Sequence, residues 1–144
     1  IKLVFFIKLK KKAKNYMKQH EEWLKKADSD LASCKVLLNS LPPILDTCVY
    51  HAQQCAEKSL KAFLVLKTGR FIKKHDLTYL LTECSAIDPD FDNFADESDI
   101  LAPYDTAYRY PGLSENFEPE YSEAEEAFFY AKNILDFVKS KIFP

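Results

Sequence analysis

The sequence predicts an all-α protein: an up-and-down helical bundle of four to five helices, with two long antiparallel helices at its core. Three observations favour this fold class. The 144 residues include only two glycines, Gly69 and Gly112, so the chain has few tight turns. Apolar residues recur at three- and four-residue spacing over long stretches. No strand-like alternation follows residue 16, and the length fits one domain.

The first clear helix is predicted over residues 18–39, because apolar residues lie on one face at helical spacing: Trp23, Ala27, Leu31, Cys34 and Leu38. A break follows at Pro42 and Pro43, since proline is accepted in a first helical turn but not in a helix interior.

The second helix is predicted over residues 43–67, with Gly69 just beyond its end. One face is a stripe of mostly small residues: Cys48, Ala52, Cys55, Ala56, Ser59, Ala62, Phe63 and Leu66. The other face is polar, with His51 at the margin: Gln53, Gln54, Glu57, Lys58 and Lys61. Small residues let a neighbouring helix approach closely, so we expect this to be the central helix.

The sequence of the second half of the chain predicts shorter helices, followed by a long helix at the end. A third helix begins at residues 75–77, capped by Asp76 or His75, and ends near residue 84. Residues 85–90 are expected to be a loop, and residues 91–108 a helix broken at Pro103. After an irregular acidic stretch, Ser122 and Glu125 form a capping-box pattern at the start of the last helix.

Residues 1–16 are predicted to be an N-terminal extension, and residues 17–144 the helical bundle domain. The extension is apolar first and basic afterwards, the reverse of a secretory signal, and it is too short to span a membrane. One interpretation is a segment that is not native to the domain or is flexible. The other is a real β-strand or partner-binding arm, because residues 3–7 have high β-propensity.

Charge is distributed unevenly around a net value of −2. Residues 1–26 hold nine Lys and two Glu, a net of +7. Residues 57–82 carry +4 and residues 83–126 carry −13. These regions are either solvated faces or, in the sharper interpretation, a basic surface for a phosphate-bearing ligand beside an acidic region that repels it.

Several classes of site are not expected. Two glycines are too few for a phosphate-binding loop or a dinucleotide fingerprint. The four cysteines form no C-x-x-C pair, so we expect no metal site and no cofactor. Thiols spread through helices are typical of buried small hydrophobes in a reducing compartment, which predicts a cytoplasmic protein. The sequence has no run of about 18 apolar residues, so no membrane partner is expected.

An ordered set of short motifs resembles the HEPN domain family, small helical bundles of prokaryotes and higher eukaryotes. The set runs from about Trp23 to Val138, most of the chain. It comprises Trp23-Leu24-Lys25-Lys26-Ala27 with Asp30-Leu31, Gln53-Gln54-x-Ala56-Glu57-Lys58-x-Leu60-Lys61-Ala62, His75-Asp76-Leu77 with Leu80-Leu81, Tyr104 with Arg109-Tyr110-Pro111, and Glu125-Glu126-Ala127 with Ala131 and Phe137-Val138. The family resemblance implies the same helical fold.

The resemblance also implies a function. The family name proposes nucleotide binding, and many members resemble partners of small nucleotidyltransferases in toxin–antitoxin pairs. Members commonly form homodimers. We therefore expect a HEPN-like binding module, for a nucleotide or RNA ligand or for a nucleotidyltransferase partner protein.

Some HEPN proteins are metal-independent ribonucleases with an R-x(4–6)-H motif. Arg70 and His75 have this spacing, so they are the predicted catalytic residues of an alternative function, an RNA-cleaving toxin. Histidine can move the 2′-hydroxyl proton, and arginine can stabilise phosphorane charge. The alternative interpretation of His75 is a helix-start residue beside Asp76. A structural helical scaffold is the second alternative function.

The candidate ligand-binding residues combine cations with aromatic rings: Lys58, Lys61, Lys74, Arg109, Tyr110 and Tyr104. Arg109 could contact a phosphate while a tyrosine stacks on a base, or it could anchor a salt bridge among acidic residues. His51 with Gln54 and Lys58 forms a polar strip that binds a ligand, or faces solvent or a dimer mate.

Overall fold

A computed structural model describes residues 1–8 and 19–144 of the chain. Over this part of the chain there are five α-helices: α1 (Lys2–Asn39), α2 (Leu45–Thr68), α3 (Leu77–Ile87), α4 (Ala95–Leu101) and α5 (Tyr121–Ile142). Short 3₁₀ helices at Pro89–Phe94 and Ala102–Asp105 flank α4. No strand occurs in the described ranges, so the predicted all-α fold class is confirmed.

The central helix is α2, which packs against α1, α3 and α5. Its small residues are fully buried, as the stripe predicted. The opposite, polar side of α2 is buried in part as well, at Gln53, Glu57 and Lys61. α1 packs over this side, and hydrogen bonds and ion pairs there satisfy the buried polar groups.

Aromatic rings fill the space between α2, α5 and the first 3₁₀ helix. The ring centroids of Phe63 and Phe91 lie 4.5 Å apart, and those of Phe91 and Phe137 lie 4.9 Å apart in an edge-on arrangement. Phe63 and Phe91 are fully buried. Aromatic pairs in such geometry stabilise a core beyond the area that they bury.

Two of the predicted helix ends are confirmed. Gly69 ends α2 in the left-handed conformation, with φ of 66°, and its N–H donates to the Val65 carbonyl at 2.9 Å. Asp76 caps α3, because its carboxylate accepts a hydrogen bond from the Tyr79 N–H at 3.2 Å. His75 is therefore not the cap.

The predicted capping box at Ser122 is wrong. α5 begins at Tyr121 with Glu120 as its N-cap residue, and no side chain accepts a hydrogen bond there. Ser122 thus lies inside the first turn. Its hydroxyl cannot occupy the cap position that the pattern assumed.

Helical structure also extends beyond several predicted limits. α1 begins at Lys2, so the strand interpretation is wrong for residues 2–8, whose side chains are exposed. The predicted boundary between residues 16 and 17 lies outside the described residues. The loop expected over residues 85–90 is instead the end of α3 and the start of the first 3₁₀ helix, where Asp88 accepts a hydrogen bond from the Asp90 N–H. None of the helices, over their described residues, is long and apolar enough to cross a membrane.

Candidate functional site

Arg109 lines two neighbouring surface cavities. One has a volume of about 360 Å³ and is formed mainly by the irregular segment 107–117. The other, of about 300 Å³, is lined by Asp46, Thr47, Tyr50, His51 and Arg109. Asp46 and Arg109 line both cavities. The irregular segment therefore brings the one arginine of the acidic region against the first turns of α2.

The Arg109 guanidinium lies against tyrosine rings. Its Cζ atom is 4.5 Å from the Tyr50 ring centroid and 5.8 Å from that of Tyr110. Such cation–π contacts fix the plane of the guanidinium and leave its N–H groups to other acceptors. In the described part of the chain Arg109 makes no salt bridge. Its contacts therefore do not support the salt-bridge interpretation.

A buried aspartate organises the polar strip beside this cavity. The Asp30 carboxylate lies 2.8 Å from His51 Nδ1 and accepts a hydrogen bond from Lys58 Nζ at 2.6 Å. Since Nδ1 faces the carboxylate, Nε2 is the ring nitrogen left for a ligand. The rings of Tyr50 and His51 meet edge to face at 5.4 Å, so the histidine and Arg109 contact the same tyrosine.

A second buried carboxylate lies further along α2. Glu57 Oε1 is 2.6 Å from His75 Nδ1 and 3.1 Å from Lys61 Nζ, while Gln54 donates to Oε2 at 3.1 Å. Lys61 Nζ also lies 5.4 Å from the ring centroid of Trp23. The side chains of Glu57 and Lys61 are almost completely buried, with 3% and 4% exposure, respectively. This cluster joins α1, α2 and the loop before α3.

The structure places the predicted catalytic pair on one loop without joining the two side chains. Arg70 is exposed, and its backbone N–H donates to the Thr68 hydroxyl at 3.2 Å. No hydrogen bond between the Arg70 and His75 side chains occurs in the described structure, whereas His75 is bound to Glu57.

The predicted ligand-binding residues lie in different environments. Lys58 and Lys61 form ion pairs with buried carboxylates. Lys74 Nζ lies 4.0 Å from the Tyr79 ring centroid. Tyr104 is buried, and desolvation raises its pKa to about 12. Its hydroxyl therefore stays protonated within the bundle. Arg109 and Tyr110 are the two that line a cavity together.

Sequence reasoning missed Asp30 and Tyr50 as parts of this site. A signal for Asp30 was present, because it lies three residues after Ala27 and four before Cys34 on the buried face of α1. An acidic side chain at such a position requires a buried partner. Tyr50 gave no comparable signal, because its role depends on where the irregular segment places Arg109.

The cysteines are buried and free. Burial raises the pKa of Cys55 to about 12 and that of Cys84 further. The sulfur atoms of Cys34 and Cys48 lie 3.2 Å apart, and the neighbouring thiol together with burial raises the pKa of Cys34. Within the described ranges no cluster of metal-ligating side chains could hold a metal ion.

Comparison with known proteins identifies the family of this bundle. The model of the HEPN domain matches residues 20–141, almost the whole described bundle. The chain belongs to the HEPN domain family. A relative from Methanocaldococcus jannaschii, named "Putative toxin MJ1304", is 31% identical over 132 residues, covering 81% of this chain and 84% of its own length.

Two crystal structures share the fold of this chain. TT1696 from Thermus thermophilus superposes with a TM-score of 0.77 at 26% identity, covering 85% of this chain and 98% of its own. ST0689, described as an archaeal HEPN homologue, has a TM-score of 0.67 at 26% identity, covering 86% and 98%. This HEPN chain therefore has the helical arrangement of both proteins.

Proposed function

We propose that this HEPN chain is a binding module for a nucleotide, which it holds in the two cavities beside Arg109. The observation that carries the proposal is the guanidinium of Arg109, which is held by Tyr50 and Tyr110 and has no salt bridge in the described structure. An arginine fixed in this way suits bidentate contact with a phosphate.

The other groups around Arg109 match the rest of a nucleotide. Tyr110 is exposed and can stack on a base. Asp46 lines both cavities and supplies a carboxylate acceptor for ribose hydroxyls. The cavity volumes of about 360 and 300 Å³ lie at the lower end of the range for small-ligand sites.

The partner in this proposal is a nucleotidyltransferase, in a toxin–antitoxin-like pair, and the chain itself forms a homodimer. The toxin name of the M. jannaschii relative supports the proposed toxin–antitoxin-like pair. Copurification with a coexpressed nucleotidyltransferase tests the partner, and light scattering tests the homodimer. A monomeric chain that captures no such enzyme would overturn both parts.

Nucleotide binding is tested by thermal unfolding with ATP, AMP or inorganic phosphate. Ligand at 100 times its dissociation constant adds about 2.7 kcal/mol to the unfolding free energy. Arg109→Ala should abolish this gain, and Arg109→Lys should reduce it because lysine lacks the planar fork. Lys132→Ala, which removes an exposed cation on α5, is the matched control. Equal stabilisation of wild type and Arg109→Ala would exclude this site.

RNA cleavage without a metal is the second candidate function. The observation in its favour is that His51, oriented by Asp30, lines a cavity with Arg109. His51 would take the 2′-hydroxyl proton, and the 2′-oxygen would attack phosphorus. The bond from phosphorus to the 5′-oxygen would break, and the leaving 5′-oxygen would take the proton from the imidazolium. The products would be a 2′,3′-cyclic phosphate and a 5′-hydroxyl. Arg109 would stabilise the charge on the phosphorane.

A cleavage time course in EDTA separates the two candidate pairs. Loss of activity in His51→Ala and Arg109→Ala, with activity kept in His75→Ala, would support the cavity. Loss in Arg70→Ala and His75→Ala would support the pair that the family motif indicates. If the folded wild type neither cleaves RNA nor binds a nucleotide, the structural scaffold is the function that remains.

A further inference from the structure

The loop between α2 and α3, residues 69–76, is held to the bundle at two points. Near its start, the Phe71 ring stacks on Trp23 of α1, with centroids 6.1 Å apart and an interplanar angle of 28°. Near its end, His75 Nδ1 lies 2.6 Å from the buried Glu57 carboxylate. Between them, Ile72 packs against the core. The loop is therefore ordered by its own side chains.

This anchoring leaves a row of cations at the surface. Arg70, Lys73 and Lys74 are exposed. They belong to a stretch with a net charge of +4, far from the acidic irregular segment in sequence. An ordered basic loop loses less conformational entropy on binding a polyanion than a mobile one would.

An aromatic surface lies beside the row of cations. Trp23 and Phe71 line a shallow cavity of about 280 Å³ with Gln19, Glu22 and Lys26. Phe71 is 56% exposed although its ring is already aligned in a stack. A ring held in this orientation offers a flat apolar surface on which a further planar group can stack.

We infer that the 69–76 loop and Trp23 form a binding site for single-stranded nucleic acid. One base stacks on the Phe71–Trp23 pair, and the cations Arg70, Lys73 and Lys74 contact neighbouring phosphates. An aromatic platform beside a basic track is the combination by which proteins bind unpaired strands. In a duplex the faces of the bases are already stacked, so the platform favours a single strand over a double helix.

This site is separate from the cavities at Arg109. Tyr50 lies near the start of α2 and Thr68 at its end. Eighteen residues of helix correspond to about 27 Å at 1.5 Å per residue. The inference therefore does not rest on nucleotide binding by Arg109, and the two proposals fail separately.

Trp23 provides a local reporter for the test, because it is the only tryptophan in the chain. The probes are unlabelled 12-nucleotide oligouridylate and oligodeoxythymidylate. We expect saturable quenching of Trp23 fluorescence that weakens with salt. For single strands, log K falls with log salt by about 0.7 for each phosphate neutralised. AMP, bound at Arg109, should not quench Trp23.

Two kinds of variant separate stacking from charge. Phe71→Leu keeps an apolar contact but removes the ring, and should weaken binding by at least about 5-fold without changing the salt slope. Lys73→Gln with Lys74→Gln should lower the slope by about 0.7 for each cation removed. Phe129→Leu and Lys132→Gln, two exposed positions on α5, are the matched controls and should change neither.

Three results would overturn the inference. Wild type could bind neither oligonucleotide, as judged by quenching and by anisotropy of labelled strands. Alternatively, strands could bind with the same affinity and slope in the loop variants as in wild type. Finally, a glutamate-rich peptide could quench Trp23 where the oligonucleotides do not, which would make the loop a protein-binding surface. Circular dichroism of each variant confirms its fold, and the charge variants keep the test decisive if Phe71→Leu unfolds.

Discussion

The buried carboxylate of Glu57 binds the imidazole of His75 at 2.6 Å, although the histidine side chain is 77% exposed. The same oxygen lies 3.1 Å from Lys61 Nζ, which is shielded from water. One carboxylate thus serves a surface loop and a buried ammonium group together. The stability of the bundle and the order of the basic loop are coupled through this residue.

Removing Glu57 should be strongly destabilising. Glu57→Ala leaves the Lys61 ammonium buried without its partner, which typically costs about 3–5 kcal/mol of unfolding free energy. Asp136→Ala breaks an exposed ion pair with Lys132 on α5 and should cost about 0.5 kcal/mol or less. Urea unfolding measures both. Similar costs for the two variants would show that Lys61 does not depend on Glu57.

The aromatic core should respond to truncation at its centre. Phe63→Ala removes a fully buried ring that contacts Phe91, and should lower the unfolding free energy by about 3–5 kcal/mol. Phe129→Ala is the control, because that ring is half-exposed and its loss should change the free energy by about 0.5 kcal/mol. Chemical denaturation gives both values. A loss below about 1 kcal/mol at Phe63 would contradict the packing described.

The junction of α3 and α5 should lose stability in acid. The Lys141 ammonium and the Asp90 N–H hold the pKa of Asp88 below its ordinary value. This contribution is complete above the ordinary aspartate pKa and disappears as pH falls through the lower, folded-state pKa. Asp88→Asn can still accept the N–H bond, so it isolates the charge. The unfolding free energy of Asp88→Asn, measured with urea, should be lower than that of wild type by a constant amount from about pH 5 to 8. This difference should vanish in strong acid.

A deficit for Asp88→Asn that persists in strong acid would contradict the pairing. The alkaline limit provides a second check. Hydrogen bonds from Lys141 to Asp88 and Asp90 raise the pKa of the ammonium group, so that contribution is present below the ordinary lysine pKa and is lost as pH rises through the higher, folded-state value.

The thiols should be nearly inert in the native protein. Burial raises the pKa values of Cys55 and Cys84, and the thiolate is the reactive form. We expect the four cysteines to react with a disulfide reagent at about the rate of unfolding, and all at once in denaturant. Val36→Cys, at an exposed position of α1, should react rapidly in the native state. Fast native labelling of the wild type would contradict the burial.

The sequence predicts the bundle better than the candidate site. The end of α2 at Gly69 and the cap at Asp76 are local events, determined by backbone conformation and a nearby side chain, so the pattern was sufficient. The start of α5 differs because a capping box is only a weak local preference, and the observed N-cap, Glu120, lies two positions before Ser122. The pattern therefore located the helix but not its first residue.

The polar clusters could not be derived in the same way. Asp30 and Glu57 are buried with partners from other elements, and a single helical wheel does not show what covers its polar face. The cavities depend on the segment around Arg109, which has no periodicity from which a path can be predicted. Helical order thus follows from spacing, whereas the ligand-facing geometry follows from tertiary contacts.

The contact of Asp30 with both His51 and Lys58 determines the axial register of α1 along α2. Those two residues are seven positions apart, and one carboxylate lies between them. A slip of one helical turn, about 5.4 Å, would carry the largely buried carboxylate away from one of its two partners. Small residues alone would tolerate such sliding, because alanine and cysteine surfaces are nearly smooth. The ionic contact therefore selects a single alignment among those that the apolar stripe would allow.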